Sequence, residues 1–149
     1  MSRKARVFLA FILAVVLATV LGTVFQTQFN LAALSDMGVS VPLEIRLRTT
    51  GQDLLGFSPT LGALVTAAFV LALPAAAYVE RLWPRGRWIV FLLAGGLSVL
   101  GALMVANAVA PMPTLISANR TFAGTLGLMA SGAVGAWFFT WLLARAAVR

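Results

Sequence analysis

The chain has 149 residues, 61% of them hydrophobic, with eleven Lys and Arg, four Asp and Glu, and neither Cys nor His. The absence of Cys and His excludes disulfides, thiol chemistry, iron–sulfur ligation and histidine-dependent catalysis, and leaves no zinc site that we can recognise. Charged residues make up 10% of the chain, against about 25% in soluble domains, and helices that are apolar on every side exclude a soluble bundle.

Four long runs without charge predict four transmembrane helices, because about 20 apolar residues cross a bilayer as a helix. The charge-free runs are 7–35, 54–79, 88–119 and 121–144. We therefore predict an all-α integral membrane protein, a four-transmembrane-helix bundle that forms a single domain over 1–149. The predicted transmembrane helices are about 7–26, 60–79, 88–109 and 121–144.

The first predicted helix carries small residues at every fourth position. Ala14, Ala18 and Gly22 follow one another along one face, and Gln26 and Asn30 continue the same line. The basic start and the apolar run could also be read as a signal peptide. Because the cleavage site is poor and the run is too long, we expect the segment to be retained as a helix.

The segment after the first helix, VSVPLEIRLRTTGQD over 39–53, is a short charged island between apolar runs. Its strict alternation over 39–47 is typical of a strand, yet Pro42 would confine a strand to an edge and no partner strand is evident. Pro42 also suits a helix start. We predict an amphipathic helix over about 42–55 in the first extracytoplasmic loop, either a lid over a polar mouth or a plain connector, and keep the extended edge as the alternative.

Pro74 lies inside the second predicted transmembrane helix, as a hinge or as the ordinary kink that proline makes in membrane helices. The third helix has Ser98 and Ala102 at a spacing of four. Small residues let helix backbones approach closely in lipid, where apolar burial alone does not hold helices together. The same spacing in the fourth helix is given by Gly127, Ser131 and Gly135. These faces predict a compact bundle, or contact with an oligomer or partner subunit.

Basic residues predict the orientation of the chain, because they collect on the cytoplasmic side of membrane proteins. One predicted side has Arg3, Lys4, Arg6, Arg81, Arg85, Arg87, Arg145 and Arg149; the other has Arg46, Arg48 and Arg120. We expect both termini in the cytoplasm (N-in/C-in) and the protein in the inner (plasma) membrane of a bacterium. The excess of basic residues is therefore not a nucleic-acid signal.

All Asn and Gln residues fall on the predicted outer side, which favours a polar pocket near the outer leaflet. The candidate ligand-binding residues are Arg120, Asn119, Asn107, Gln26, Asn30, Asp53 and Arg46. Arg120 precedes a glycine-rich helix, and an arginine at a helix start attracts anions. The alternative is that these amides cap helices and bond loop backbone.

We predict a protein without catalytic residues, cofactor or metal site, surrounded by membrane lipids. The first expectation for its function is an accessory or structural subunit of a membrane complex, or a homo-oligomer, packed through its small-residue faces. The alternative is binding or transport of a lipid, isoprenoid or small anion at the polar pocket. An enzyme acting on lipid is a third hypothesis, with Asp53 and Arg120 as its candidate pair. It ranks last, because this pair does not have the spacing of a recognised motif.

Overall fold

A computed structural model describes residues 2–109 and 121–147, and all regular structure in these two ranges is helical. The helices are α1 Arg3–Asp36, α2 Leu43–Gly56, α3 Ser58–Leu82, α4 Arg87–Val109 and α5 Phe122–Ala147, with a short 3₁₀ turn at Pro84–Gly86. By length and composition, α1, α3, α4 and α5 could each cross a membrane. The predicted class, an all-helical chain with four membrane-spanning candidates, is confirmed at this level.

Helix α1 is longer than the predicted span of about 7–26. Its 34 residues extend about 51 Å at 1.5 Å per residue, whereas the hydrocarbon core is about 30 Å thick. The helix continues because its polar residues from Thr23 onward bond to α3 and α2, as described below. It stops at Gly38, whose φ of 84° suits the residue after a helix end. Gly38 N–H donates to the Ser35 carbonyl and Val39 N–H to the Leu34 carbonyl, which is the Schellman arrangement.

The charged island forms helix α2, which ends at Gly56 directly before α3. Phe57 joins the two helices with an αR backbone, and its N–H donates to the Asp53 carbonyl. Pro59 lies in the first turn of α3, where its missing N–H costs no helical hydrogen bond. The short joint keeps α2 beside the first turns of α3.

The four long helices form a ring in the order α1, α5, α4 and α3, and α2 packs mainly on α1. Neighbouring helices run in opposite directions, as contacts at one end of the ring indicate. Arg6 near the start of α1 donates to the carbonyl of Ala146 near the end of α5. Glu80 near the end of α3 pairs with Arg87 at the start of α4 at 3.2 Å. The starts of α1 and α4 and the ends of α3 and α5 therefore share one end, called the Arg87 end; α2 lies at the other, the α2 end.

Small residues bring α1 and α5 into close contact. Ala14 and Ala18 are fully buried, and a Cβ built on Gly135 would stand 2.7 Å from the Ala18 Cβ and 2.9 Å from the Ala14 carbonyl oxygen. On Gly22 it would stand 3.0 Å from Ser131 Oγ. The Phe25 ring occupies the space above Gly127. The predicted packing positions of α1 and α5 thus lie in contacts within the bundle: Ala14, Ala18, Gly22, Gly127, Ser131 and Gly135.

Helices α4 and α5 touch through a different pair of glycines from the predicted stripe. A Cβ on Gly95 would collide with the Gly132 carbonyl oxygen, and one on Gly132 would stand 2.7 Å from the Gly95 carbonyl oxygen. Ser98 and Ala102, which the spacing singled out, are only half-buried. They lie beside the contact, because Val99 and Leu103 take the fully buried positions of this turn.

Candidate functional site

A set of polar side chains joins α2 to the bundle, and we call it the α2 clasp: Thr23, Thr27 and Gln28 of α1, Arg46, Thr50 and Asp53 of α2, and Ser58 of α3. One contact is made by the hydroxyl of the buried Thr27, which lies 2.7 Å from Asp53 Oδ2 and 2.9 Å from the Thr23 carbonyl oxygen. A threonine hydroxyl has one proton, so it serves these two acceptors in turn or as a shared donor. Thr27 therefore ties the carboxylate of α2 to buried backbone in α1.

Gln28 uses both ends of its amide in the clasp. Its Nε2 donates to Thr50 Oγ1 at 2.9 Å, and its Oε1 accepts from Arg46 Nη1 at 3.2 Å. The Thr50 hydroxyl in turn donates to the Arg46 carbonyl at 2.7 Å. One amide thus engages α2 on two successive turns, which sets the register of α2 along α1.

The innermost contact of the clasp is a pair of hydroxyls. Thr23 Oγ1 and Ser58 Oγ are 3.0 Å apart, and Thr23 is completely buried. Either hydroxyl can donate, and each meets the hydrogen-bonding need of the other where water is scarce. This contact links α1 directly to the first turn of α3.

An open groove of about 570 Å³ lies between α1 and α3 next to the clasp, and Leu54 of α2 also lines it. Its lining residues are Val15, Val16, Thr19, Val20, Leu54, Ser58, Pro59, Gly62 and Thr66. The volume lies within the range of about 300–1,000 Å³ usual for small-molecule sites. The walls are mostly aliphatic, and each of the three polar lining residues contributes a hydroxyl group.

The hydroxyl of Thr19 has no hydrogen-bond partner, although the residue is only 7% exposed. Thr23 and Thr27 of α1 do have one, and Thr66 of α3 donates to the Gly62 carbonyl at 2.6 Å, the back-bond usual for threonine in a helix. The Thr19 Oγ1 stands 3.5 Å from where a Cβ on Gly62 would be. The hydroxyl oxygen is thus packed against α3 beside Gly62 and has almost no accessible surface of its own.

The predicted ligand-binding residues separate into three groups. Arg46 and Asp53 meet in the clasp, where both bond to α1. Gln26 is buried on α1 with its Oε1 unpartnered, whereas Asn30 and Asn107 are half-buried on α1 and α4. Asn119 and Arg120 lie outside the described residues.

The threonines of α1 are the residues that sequence reasoning missed, because it followed amides and charges. Thr19, Thr23 and Thr27 recur at every fourth position, one residue after the line of Ala18, Gly22 and Gln26. This spacing places them on the flank of the packing face, turned towards α2 and α3. A second line, Ser58, Gly62 and Thr66, follows the facing side of α3.

The Arg87 end of the ring carries a separate polar contact that links three helices. Arg87 Nε donates to the hydroxyl of the fully buried Thr140, and its Nη2 donates to the Thr140 carbonyl at 3.3 Å. The same guanidinium pairs with Glu80. Arg145 lies 4.0 Å above the Trp141 ring, a favourable cation–π geometry. Arg87, Glu80 and Arg145 are thus engaged in contacts within the bundle. We therefore take the groove as the candidate site.

Residues 2–109 and 121–147 contain no group of three or more His, Cys, Asp or Glu side chains that could hold a metal ion. The hydroxyls of the groove are neutral donors and acceptors, which suit hydrogen bonding more than ion binding. No protein-family model, curated protein or solved structure matches this chain.

Proposed function

We propose that this chain is a membrane protein without a catalytic role, which binds a lipid or other apolar molecule in the groove between α1 and α3. The observation that carries the proposal is a groove of about 570 Å³ between α1 and α3 whose walls are mostly aliphatic. Such a lining suits an apolar occupant, since small-molecule sites are lined predominantly by hydrophobic side chains.

The packing of the small residues within the bundle also supports lipid binding over assembly with a partner chain. Ala14, Ala18, Gly22 and Gly135 are engaged between α1 and α5, and Gly95 and Gly132 between α4 and α5. Faces already occupied within one chain are not free to hold a partner. The groove, by contrast, is open on its side to the surroundings of the bundle.

The groove would lie towards the outer leaflet if the basic residues set the usual orientation. Arg3, Lys4 and Arg6 at the start of α1 and Arg145 near the end of α5 belong to the Arg87 end. With this end in the cytoplasm, both termini are cytoplasmic, the membrane is the inner membrane of a bacterium, and α2 rests on the outer surface.

Filling the groove tests the proposal. A diazirine-bearing alkyl chain is photolysed with the purified protein in detergent micelles, and labelled peptides are quantified by mass spectrometry. We expect wild-type labelling to concentrate at Val15, Val16 and Val20, and Gly62→Leu to remove it because the new side chain occupies the groove. Ala63→Leu, one residue away on an exposed position of α3, is the matched control and should label like wild type. Equal labelling of the Gly62→Leu protein would refute the proposal.

A subunit of a membrane complex, or of a homo-oligomer, is the second candidate, and one observation favours it. Gly101 lies exposed in α4 with nothing within 4 Å of a Cβ built on it. Glycine costs about 1 kcal/mol in a helix, and no contact within the described chain compensates for it. Close approach of a partner helix at Gly101 would compensate for this cost. Native mass spectrometry of mildly extracted protein should then show a second chain at fixed stoichiometry, and a monomer under all conditions would exclude this candidate.

A further inference from the structure

The two ends of the ring differ strongly in charge. Among the described residues the Arg87 end carries seven Lys and Arg side chains, and Glu80 is its only acidic side chain. The other three carboxylates of the chain, Asp36, Glu44 and Asp53, belong to the last turn of α1 or to α2, at the α2 end. The Arg87 end therefore has an excess of positive charge that no acidic side chain of the described residues balances.

Arg145 has a defined position within this positive charge. Its guanidinium lies 4.0 Å above the Trp141 ring, a cation–π contact that orients the charge without neutralising it. The ion pair of the described residues joins Glu80 to Arg87, so no acidic side chain is left at this end for Arg145. Arg81, in contrast, is exposed and makes no ring contact within 2–109 and 121–147.

Indole rings continue from Arg145 towards the middle of the bundle. Trp137, Trp141 and Arg145 recur at every fourth position of α5, which keeps them on one side of the helix. The Trp137 ring centroid is 6.4 Å from that of Trp141 and 6.2 Å from that of Trp88 in α4. Trp88 and Trp137 are both exposed on the outside of the bundle. We call these four residues, Trp88, Trp137, Trp141 and Arg145, the indole–arginine face.

The order of groups on the indole–arginine face matches the order of groups in a glycerophospholipid. Arg145 is outermost, two turns or about 12 Å beyond Trp137 at 1.5 Å per residue. Tryptophan prefers the headgroup level of a membrane, where its ring meets apolar chains and its N–H meets polar groups. A phosphate at Arg145 would thus bring the glycerol and the first carbons of its acyl chains onto the indole rings.

The charge of this face restricts which headgroup fits. A guanidinium donates several N–H bonds in a geometry that suits phosphate. A choline or ethanolamine headgroup also brings a cation into a region of unbalanced positive charge, whereas phosphatidylglycerol brings the phosphate alone. An acidic protein segment suits the face less well, because carboxylates need water and the indole rings extend from Arg145 towards the hydrocarbon.

We propose that the indole–arginine face binds an anionic phospholipid, with the phosphate at Arg145 and the glycerol end of the acyl chains on Trp141 and Trp137. The proposal requires only that the helices lie in a membrane. It depends neither on the side of the membrane that the Arg87 end faces nor on the groove between α1 and α3.

Competition between two lipids with the same chains tests the proposal. Full-length protein is kept in a non-ionic detergent with about 0.2 M ammonium acetate, which screens charges beyond about 8 Å. Equal amounts of dioleoyl phosphatidylglycerol and dioleoyl phosphatidylcholine are added, and native mass spectrometry measures the first lipid retained. We expect wild type to prefer phosphatidylglycerol. Arg145→Gln should lower that preference about fivefold or more, as expected for a hydrogen bond to a charged group.

Arg81→Gln is the matched control, because it removes the same charge from an exposed position of α3, across the ring from α5. It should lower the preference at most about twofold. Trp141→Leu keeps the charge but removes the ring beneath Arg145, and it should lower the preference towards that of Arg145→Gln. Glycerophosphoglycerol, the same headgroup without acyl chains, should not displace the lipid even in excess.

Equal losses in Arg145→Gln and Arg81→Gln would mean diffuse attraction without a site, and the proposal would be wrong. It would also be overturned if wild type retained both lipids equally, or if Trp141→Leu kept the wild-type preference. Displacement by glycerophosphoglycerol would assign a free phosphate ester instead of a lipid. An acidic protein retained in place of lipid, and lost in Arg145→Gln, would assign a protein partner.

The two substitutions on α5 leave the groove between α1 and α3 intact, since neither residue lines it. Labelling of the groove by the alkyl probe therefore tests the proposed function separately, and either result can fail without the other. Arg145→Gln should remain folded, because the exposed Arg145 side chain makes no hydrogen bond within the described residues.

Discussion

Individual glycines decide how closely the helices approach, and they are not equivalent. Gly95 and Gly132 bring the backbones of α4 and α5 together, so that a Cβ on either meets a carbonyl oxygen of the other helix. Gly101, six residues beyond Gly95 on the same helix, meets nothing within 4 Å. Two glycines in one helix thus have opposite environments, which composition and spacing do not distinguish.

Replacing Gly95 with Ala should destabilise the bundle by about 1–3 kcal/mol, because the added methyl group forces two backbones apart. Gly101→Ala is the control and should leave stability unchanged or raise it by up to about 1 kcal/mol through helix propensity. Both are measured as the free energy of unfolding in a titration with sodium dodecyl sulfate. A Gly95→Ala protein as stable as wild type would contradict the tight α4–α5 contact.

Helix α2 shows how a segment with an ambiguous pattern is settled by its neighbours. Its alternation over 39–47 is also compatible with a strand. The adjacent residues Thr27 and Gln28 of α1, however, bond to Arg46, Thr50 and Asp53, which only a helix brings to one face on successive turns. None of its residues is fully buried, and Leu43, Leu47 and Leu55 are largely exposed. Hydrogen bonds therefore carry much of its attachment.

The double variant Thr27→Val, Gln28→Leu should loosen α2 while leaving the four long helices in place. Each hydrogen bond contributes about 1 kcal/mol, so amide exchange across Leu43–Gly56 should accelerate about tenfold or more. Hydrogen–deuterium exchange with mass spectrometry measures it, with Thr60→Val, an exposed hydroxyl in the first turn of α3, as the control. Unchanged exchange in α2 would mean that apolar contacts such as Leu54 hold the helix.

The complete ring places the start of α1 and the end of α5 at the same end, through the bond from Arg6 to Ala146. This arrangement relates the two termini to each other but not to a side of the membrane. The distribution of basic residues predicts which side of the membrane the termini occupy, because translocating basic residues is unfavourable. Orientation is thus a property of the chain and the membrane together.

Single-cysteine labelling tests the orientation cleanly, since the chain has no cysteine of its own. With both termini cytoplasmic, Gly51→Cys on α2 should react with a membrane-impermeant maleimide in intact bacterial cells. Ser2→Cys should react only after the cells are permeabilised. Gly51 is exposed with nothing within 4 Å of a built Cβ, so the substitution should not disturb folding. The reverse labelling pattern would place the groove in the inner leaflet.

The run lengths between charges were enough to predict the all-helical class and four membrane-spanning candidates, because the thickness of a bilayer imposes a length on every apolar helix. The line of Ala14, Ala18, Gly22 and Gln26 was also readable, since a spacing of four stays on one helix face. These features depend on the length of apolar runs and on the spacing of small residues, and both can be counted directly in the sequence.

Which faces meet could be decided only in three dimensions. Ser98 and Ala102 have the spacing of a packing stripe, yet α5 packs on Gly95 and Gly96, because the rotation of a helix depends on all its neighbours at once. The groove arises in the same way: Thr19 and Gly62 are far apart in sequence, and α1, α3 and Leu54 border the open groove only when the short joint at Phe57 sets α2 beside it. A hydroxyl without a partner is a property of that arrangement, since pairing depends on what the fold places within reach.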